Sequence, residues 1–308
     1  MLNIDLHCHS NVSDGVLPPA DVVARAAANG VHALALTDHD DVSGLAAAQV
    51  AADAAGMTLI NGVEISVTWG GQTVHIVGLR IDPAFAALAD GLHTIRLGRI
   101  ERAQRMGDDL ARAGITGAYE GAYDYATNKQ MVGRTHFARW LVAQGHVPDI
   151  RSAFKRYLTS GHPGYVEHEW TTLENAVGWI RASGGMAVVA HPGRYAFNAR
   201  QLHLFLDAFR ALGGEGIEVI TGSHHPSEYG KFAELARAFG FKASRGADFH
   251  APGEGIDIGC LPSTSSSAGA SSSIPRIPVM RWVAISATRS RRCGCCRCAA
   301  WTPATISR

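Results

Sequence analysis

The alternation of apolar and polar residues predicts that the chain begins with a β-strand. In the segment LNIDLHCHS (residues 2–10), every second residue is apolar, and Asp5, His7 and His9 share the opposite face. Imidazole nitrogens are common ligands of catalytic divalent metals. His7 and His9 lie two residues apart at the end of the strand, close enough to bind one metal ion.

Further apolar runs predict six more strands, and helical patterns lie between most of them. A helical pattern that follows Pro18 and Pro19 ends at Gly30, and an alanine-rich one ends at Gly56. The alternation of strands and helices predicts an α/β fold, a seven-stranded β/α barrel. The six runs are residues 31–36, 58–65, 73–78, 185–190, 216–221 and 241–246.

The pattern changes after Pro83, where residues 85–170 show helical periodicity without strands. We expect helices through Leu110, across 137–141 and across 150–158. This segment is therefore predicted to be a small helical subdomain inserted into a barrel domain. The barrel domain would consist of residues 1–84 and 171–255.

Histidine and acidic residues stand at the ends of most predicted strands. In parallel β/α barrels the carboxyl ends of the strands meet on one face, so these residues should converge. Without cations, clustered carboxylates would repel and raise one another's pKa. A catalytic zinc uses three protein ligands, so a set of nine implies two or three metal ions. The nine residues are His7, His9, Asp14, His39, Glu64, His75, His191, Asp248 and His250.

The order of these motifs resembles that of the PHP (polymerase and histidinol phosphatase) family, phosphoesterases within the amidohydrolase superfamily. His-x-His, Asp-His, Val-Glu-Ile, a strand histidine, Ala-His-Pro and Asp-x-His follow one another within residues 1–255. The resemblance implies a distorted seven-stranded β/α barrel that binds manganese, with zinc or iron in some members. It also implies one metal ion held by His7, His9, Glu64 and Asp248, a second by His75, His191 and bridging Glu64, and a third by Asp14, His39 and His250.

The resemblance further implies a metal-dependent phosphoesterase. Clustered divalent ions lower the pKa of bound water to about 7, so hydroxide can attack a phosphate monoester. The insertion, with Gly-Arg-Thr-His-Phe-Ala and Ala-His-Pro-Gly-Arg-Tyr, looks like stand-alone PHP phosphatases that remove the 3′-phosphate of 3′,5′-nucleotide bisphosphates. Related members act as 5′-3′ exoribonucleases on short RNA. An amidohydrolase-type C–N hydrolase and a non-catalytic metal-dependent binding module are two rival functions that could use similar ligands.

Cationic side chains outside the metal set are candidates for binding the substrate phosphates. Arginine holds phosphate in a bidentate fork, although most arginines are solvated surface residues. The histidine pair after the sixth strand could contact the phosphate through His224 and protonate the leaving oxygen through His225. The candidate substrate-binding residues are Lys129, Arg134, His136, Arg194 and His224.

The amino-acid composition indicates which binding partners and which cellular location to expect. The chain has 308 residues, of which 46% are hydrophobic, and a net charge of +1. Residues 1–255 hold 21 basic against 26 acidic residues and no basic stripe, which favours a small phosphorylated nucleotide or short RNA over long nucleic acids. The sequence has no apolar stretch of membrane-spanning length and no signal-peptide pattern. Cys8 is the only cysteine before residue 260, which is typical of a protein in a reducing compartment. The sequence therefore predicts a cytoplasmic protein with no membrane partner.

The composition after Gly255 differs from that of the rest of the chain. Residues 256–308 contain serine runs, five cysteines, seven arginines and one acidic residue. We favour the hypothesis that a reading-frame shift near Gly255 replaced the family's ending with this low-complexity tail. Two competing hypotheses are a disordered Ser/Arg tail and a cysteine-rich metal-binding tail.

Overall fold

A computed structural model describes residues 2–262, and seven strands at its centre form one sheet in chain order. Backbone hydrogen bonds from Leu6 N to Arg245 O (2.9 Å) and from Asp248 N to His7 O (2.8 Å) join the last strand to the first. The seven-stranded α/β barrel predicted from the sequence is therefore confirmed. The strands are β1 (Ile4–Asp5), β2 (Ala33–Leu36), β3 (Thr58–Trp69), β4 (Gln72–Leu79), β5 (Met186–Val189), β6 (Gly216–Thr221) and β7 (Lys242–Gly246).

One strand departs from the parallel arrangement expected of a β/α barrel. Strand β4 runs antiparallel to both β3 and β5, whereas the other neighbouring pairs are parallel. A tight turn through Gly70 and Gly71, both with positive φ, makes this hairpin possible. His75 is therefore in the first half of β4 and not at a carboxyl end. It pairs with Ser66 of β3, which brings it to the same end of the barrel.

Helices surround the barrel and form the insertion. Alternate residues of β2 face opposite ways: Leu34 and Leu36 pack against the outer helices, whereas Ala33 and Ala35 face the barrel interior. The α-helices among the described residues are α1 (Pro19–Ala28), α2 (Leu45–Ala55), α3 (Ala86–Arg112), α4 (Ala118–Tyr125), α5 (Arg134–Ala143), α6 (Ile150–Ala153), α7 (Leu173–Ala182), α8 (Ala199–Ala211) and α9 (Tyr229–Phe239).

Helices α3 to α6 lie between β4 and α7, where the sequence predicts the insertion. They bury a hydrophobic cluster of their own, which includes Met106, Leu110, Phe137 and Leu141. A π-helical segment, Phe154–Leu158, continues α6. Helix α4 is an additional element that the sequence pattern does not predict. The separate cluster supports our proposal that residues 85–170 form a subdomain.

Residues 256–262 contact the barrel, although the sequence predicts the atypical tail from residue 256 onwards. Asp257 accepts two hydrogen bonds of 2.7 Å from Arg25 of α1. Gly259 N donates to the buried carboxylate of Asp5, and Ile258 is fully buried. Residues 256–262 therefore pack against α1 and β1, and the position at which the atypical tail begins stays a prediction. The serine and cysteine runs on which the frame-shift hypothesis depends lie outside the described residues.

The helices within residues 2–262 differ from membrane-spanning helices. None of them is both long enough and apolar enough to cross a membrane.

Candidate metal centre

The nine residues predicted as metal ligands lie together at one end of the barrel. They come from the segment after β1, from β3 and β4, and from the loops after β2, β5 and β7. Their imidazole rings are in mutual contact, as in the stacked pair His9 and His250, whose centroids are 4.2 Å apart. Backbone strain accompanies this convergence, because His191 (φ 24°) and Asp248 (φ 54°) adopt positive φ values that are rare for residues other than glycine.

Glu64 occupies the centre of the cluster. Its side chain is completely buried, and both carboxylate oxygens face imidazole nitrogens. The bridging role that the family resemblance implies for Glu64 stays a prediction. Oε1 lies 2.9 Å from His75 Nδ1 and 2.8 Å from His191 Nε2, and Oε2 lies 3.2 Å from His7 Nε2, 3.3 Å from His9 Nε2 and 3.1 Å from His39 Nδ1.

Two aspartates flank Glu64 on opposite sides of His9. Asp248 Oδ1 lies 3.3 Å from His9 Nε2, on the side of His7. Asp14 Oδ1 lies 3.2 Å from His250 Nε2 and 4.0 Å from His9 Nδ1, on the other side. His9 thus presents one ring nitrogen to each aspartate. Asp14, His9 and His250 lie together with His39, whose Nε2 is 3.9 Å from Asp14 Oδ1.

The donor atoms fit divalent metal ions. Five buried side-chain atoms of the cluster have no hydrogen-bond partner among the described residues, although unpaired buried polar atoms are costly. Imidazole nitrogens and carboxylate oxygens are ligands of manganese, zinc and iron. The unpaired atoms are His9 Nδ1, Asp14 Oδ1, His39 Nδ1, Glu64 Oε2 and His191 Nδ1.

The electrostatics of the cluster favour charged carboxylates. Burial alone would raise the pKa of Glu64, but His39, His7 and His75 hold that pKa well below its usual range. Burial alone would lower the pKa of His9, but the carboxylates of Asp248 and Glu64, each 3.3 Å from Nε2, raise it to about 10. Anionic carboxylates surrounded by imidazoles are suited to attract cations.

Sequence reasoning did not identify Glu218, which supports two of the ligands. Its buried carboxylate accepts a 2.8 Å hydrogen bond from His7 Nδ1 and a 2.6 Å hydrogen bond from the backbone N–H of His191. This contact directs His7 Nε2 towards Glu64, because the proton resides on Nδ1. The signal in the sequence was a lone charged residue inside the apolar strand GIEVIT.

Two other aspartates, also not identified from the sequence, stabilise the loop after β2. Asp38 accepts hydrogen bonds from the Ser10 hydroxyl (2.7 Å) and the Ser13 hydroxyl (2.6 Å), which fixes the segment after His9. Asp40 has a φ of 45° and forms a buried ion pair with Arg99 of α3. The insertion is therefore bound directly to the loop that carries His39.

Two predicted substrate-binding arginines lie beside the cluster. Arg194 is half exposed, and its Nη1 is 3.3 Å from Asp248 Oδ2. Arg134 is the first residue of α5. The next residue, Thr135, donates a 2.9 Å hydrogen bond to Asp14 Oδ2. The prediction of phosphate-binding roles for both arginines is compatible with these positions.

Two predicted substrate-binding histidines make their contacts elsewhere among the described residues. His136 Nδ1 accepts from Gly133 N–H at 3.1 Å, and burial lowers its pKa to about 4. His224 Nε2 accepts from Gly193 N–H at 2.9 Å, and its ring stacks on Phe232. The structure does not bring their contacts into the nine-residue cluster.

His225 and Lys129 are exposed and also make their contacts outside the nine-residue cluster. His225 Nδ1 is 2.7 Å from the Ser227 hydroxyl. Lys129 Nζ donates to the Tyr123 carbonyl and lies 4.5 Å from the centre of the Tyr123 ring. A catalytic role for His225 and a substrate contact of Lys129 therefore remain predictions.

Known proteins with related sequences cover most of the chain. A 3′,5′-nucleoside bisphosphate phosphatase of Chromobacterium violaceum is 56% identical over 84% of this chain and 91% of its own length. A 5′-3′ exoribonuclease of Haemophilus influenzae is 42% identical over 83% of this chain and 92% of its own length.

Solved structures show the same fold. A C. violaceum protein described as an amidohydrolase, with bound sulfate and no metal, superposes with a TM-score of 0.83 at 54% identity, over 85% of this chain and 91% of that one. A Bifidobacterium adolescentis protein described as a metal-dependent phosphoesterase has a TM-score of 0.73 at 26% identity, over 83% and 92%. Residues 5–182 match the PHP domain. The resemblance seen in the sequence motifs is thus confirmed, and the chain belongs to the PHP domain family.

Proposed function

We propose that this protein is a metal-dependent phosphatase that removes the 3′-phosphate from 3′,5′-nucleoside bisphosphates. The observation that carries the proposal is the cluster of nine candidate metal ligands, with Arg194 and the start of α5 at Arg134 beside it. The C. violaceum relative of that name, 56% identical, supports the substrate class.

We propose that the cluster binds two or three divalent ions, with manganese as the metal and zinc or iron as alternatives. Glu64, His7, His9 and Asp248 would hold one ion, and His75 and His191 would share Glu64 around a second. Asp14, His39 and His250 would hold a third. Such ions lower the pKa of water and neutralise phosphoryl oxygens.

The hydrolysis consumes one water molecule, whose oxygen bonds to phosphorus while the bond from phosphorus to the 3′ oxygen breaks. Arg194 lies at the exposed edge of the cluster, where its guanidinium can bind an oxygen of the reacting phosphate. Buried Glu218 and Asp38 keep the surrounding side chains in position. The products are a nucleoside 5′-phosphate and inorganic phosphate.

A second candidate function is 5′-3′ exoribonuclease activity on short RNA. The H. influenzae relative of that name, 42% identical, favours it. Both reactions cleave a phosphate ester next to a second phosphate. The substrate's length is what separates them.

The test is a manganese-supplemented assay that compares nucleoside 3′,5′-bisphosphates with short 5′-phosphorylated RNA and with amide substrates. We expect the bisphosphates to have the highest kcat/KM, with release of inorganic phosphate. Higher kcat/KM on RNA would establish the exoribonuclease instead, and hydrolysis of amides alone would establish a C–N hydrolase. Absence of turnover on every substrate, with metal bound, would indicate a binding module.

The metal assignment is tested by Asp248→Asn in the same assay. We expect loss of both activity and bound metal, measured by elemental analysis, because Asp248 faces His7 and His9. Asp53→Asn, on the exposed surface of α2, is the matched control and should keep both. Full metal content in Asp248→Asn would contradict the assignment.

A further inference from the structure

Three arginines of the insertion lie together next to the metal centre. Arg99 and Arg102 are on α3, one turn apart, and Arg134 begins α5. Although guanidinium groups are usually exposed, Arg99 and Arg102 are only 9% and 7% exposed. We call these three residues the arginine cluster.

The arginine cluster has many more hydrogen-bond donors than acceptors. Arg99 donates to Asp40 and Ser66 through Nε and Nη2, and Nη1 has no acceptor among residues 2–262. Arg102 donates only through Nε, to the Val166 carbonyl at 3.1 Å. Arg134 donates to no acceptor within residues 2–262. Since each guanidinium has five N–H groups, most donors of the cluster are free to bind a ligand.

The charges of the cluster are also incompletely neutralised. Asp40 pairs with Arg99, but no carboxylate within the described ranges pairs with Arg102 or Arg134. Burial, together with the positive charges of Arg134 and Arg99, lowers the pKa of Arg102 to about 9. The Trp170 ring holds Arg99 and Arg102 in place by cation–π contacts of 4.7 and 5.5 Å. An anion between these groups would relieve their repulsion.

The cluster is attached to the metal centre at two points. Asp40, the partner of Arg99, directly follows the ligand His39. Thr135, which follows Arg134, donates to Asp14. The amino end of α5 also lies here, and helix amino ends favour anions. A substrate phosphate in the cluster would thus be next to the phosphate that reacts.

We propose that Arg102, together with Arg134 and the free edge of Arg99, binds the non-reacting phosphate of the substrate. Arg102 then sets the preference for nucleoside bisphosphates over monophosphates. This inference rests on the proposed function, because it requires a substrate with two phosphates. Its ligand is a phosphate monoester attached to the same nucleoside as the reacting phosphate.

The test compares kcat/KM on a nucleoside 3′,5′-bisphosphate with kcat/KM on the matching 3′-monophosphate, for metal-loaded wild type and Arg102→Met. Methionine keeps the length and packing of the side chain but removes the N–H donors and the charge. We expect the ratio of the two kcat/KM values to fall by about ten- to hundred-fold, since a charge-assisted phosphate contact is lost. Arg105→Met, on the exposed face of the same helix, is the control and should keep the wild-type ratio.

A second readout is the affinity of the metal-loaded protein for the nucleoside 5′-phosphate product, measured by calorimetric titration. Arg102→Met should bind it about ten-fold more weakly or worse, and Arg102→Lys should lie between Arg102→Met and wild type, because lysine keeps the charge but not the fork. If Arg102→Met does not fold, the Arg102→Lys comparison decides.

The inference would be overturned if Arg102→Met kept both the wild-type ratio of kcat/KM values and the wild-type affinity for the nucleoside 5′-phosphate. If Arg102→Met does not fold, the same result in Arg102→Lys would overturn it. Equal losses on both substrates would also overturn it, because they would indicate a structural role. If wild type itself shows no preference for the bisphosphate, the proposed function fails, and this outcome is separate from any effect of Arg102.

Discussion

We predict that Glu218→Gln weakens metal binding without a direct contact to the metal. Glu218 accepts from His7 Nδ1 (2.8 Å) and from His191 N–H (2.6 Å) with its two carboxylate oxygens. Glutamine keeps only one acceptor oxygen, and its amide N–H₂ group would face one of these two donors. Either His7 loses its preferred tautomer or the His191 backbone loses its anchor.

The magnitude follows from the lost contact. A buried hydrogen bond to a charged group contributes about 1.5–3 kcal/mol, and 1.4 kcal/mol corresponds to a tenfold change in affinity. Metal affinity should therefore fall by about ten- to hundred-fold, the range usual for residues that orient metal ligands. At saturating metal most of the activity should return, because Glu218 does not contact the substrate.

The assay is a titration of metal-depleted protein with manganese against a competing chelator. Glu215→Gln is the matched control, since Glu215 immediately precedes the same strand but pairs with Lys242 at the opposite end of the barrel. Its metal affinity should equal that of wild type. The reasoning is refuted if Glu218→Gln binds metal as tightly as wild type, or if Glu215→Gln loses as much affinity as Glu218→Gln.

Three further predictions concern other positions. Arg134→Ala should lower kcat/KM on a nucleoside bisphosphate at least about tenfold more than on an aryl phosphate; equal losses in steady-state assays would exclude a role in binding a second phosphate. Gly246→Ala should lower the free energy of unfolding, measured by denaturant titration, by about 1–3 kcal/mol or more, because an added Cβ would lie 2.2 Å from His7 Cβ. The control Gly178→Ala should not lower it, because no atom lies within 4 Å of its added Cβ. Burial lowers the pKa of His136 to about 4. As pH falls below about 6.5, the His136 side chain is therefore protonated in the unfolded chain before it is protonated in the folded protein, which favours unfolding. By pH 4 the unfolding free energy of the metal-free wild type should have fallen by up to about 3 kcal/mol more than that of His136→Gln. A parallel pH dependence in the two proteins, or the same difference for the exposed control His203→Gln, would contradict this.

The sequence specified the strand-end residues well because position along a strand is a local property. An apolar run that ends in Thr-Asp-His or Ala-His-Pro places its histidine at the strand's end, whatever the rest of the chain does. Such runs meet at one end of a barrel. For this reason the sequence alone predicts that His39 and His191 belong to one centre, and it places the helices after Pro19 and before Gly56 from their end residues.

Strand direction could not be inferred from the same pattern. The apolar pattern of β4 is the same in either direction, and only its hairpin with β3 makes it antiparallel. His75 therefore reaches the cluster from the first half of its strand. His224 and His225 differ from His75, because they follow the carboxyl end of a strand but do not make their contacts in the cluster. Both follow a strand as predicted, yet His224 turns towards Gly193 and Phe232, and His225 faces solvent.

The sequence by itself determined the barrel, since strands and helices depend on periodicity, and it predicted the insertion and the candidate metal ligands from periodicity and chemical type. Tertiary structure alone decided which residues support them. Glu218 contacts His7 across 211 positions, and Arg99 contacts Asp40 across 59. A charged residue in an apolar strand or helix reveals that a partner must exist, because an unpaired buried charge is costly. Which partner it meets depends on how distant segments pack, and no local pattern encodes that.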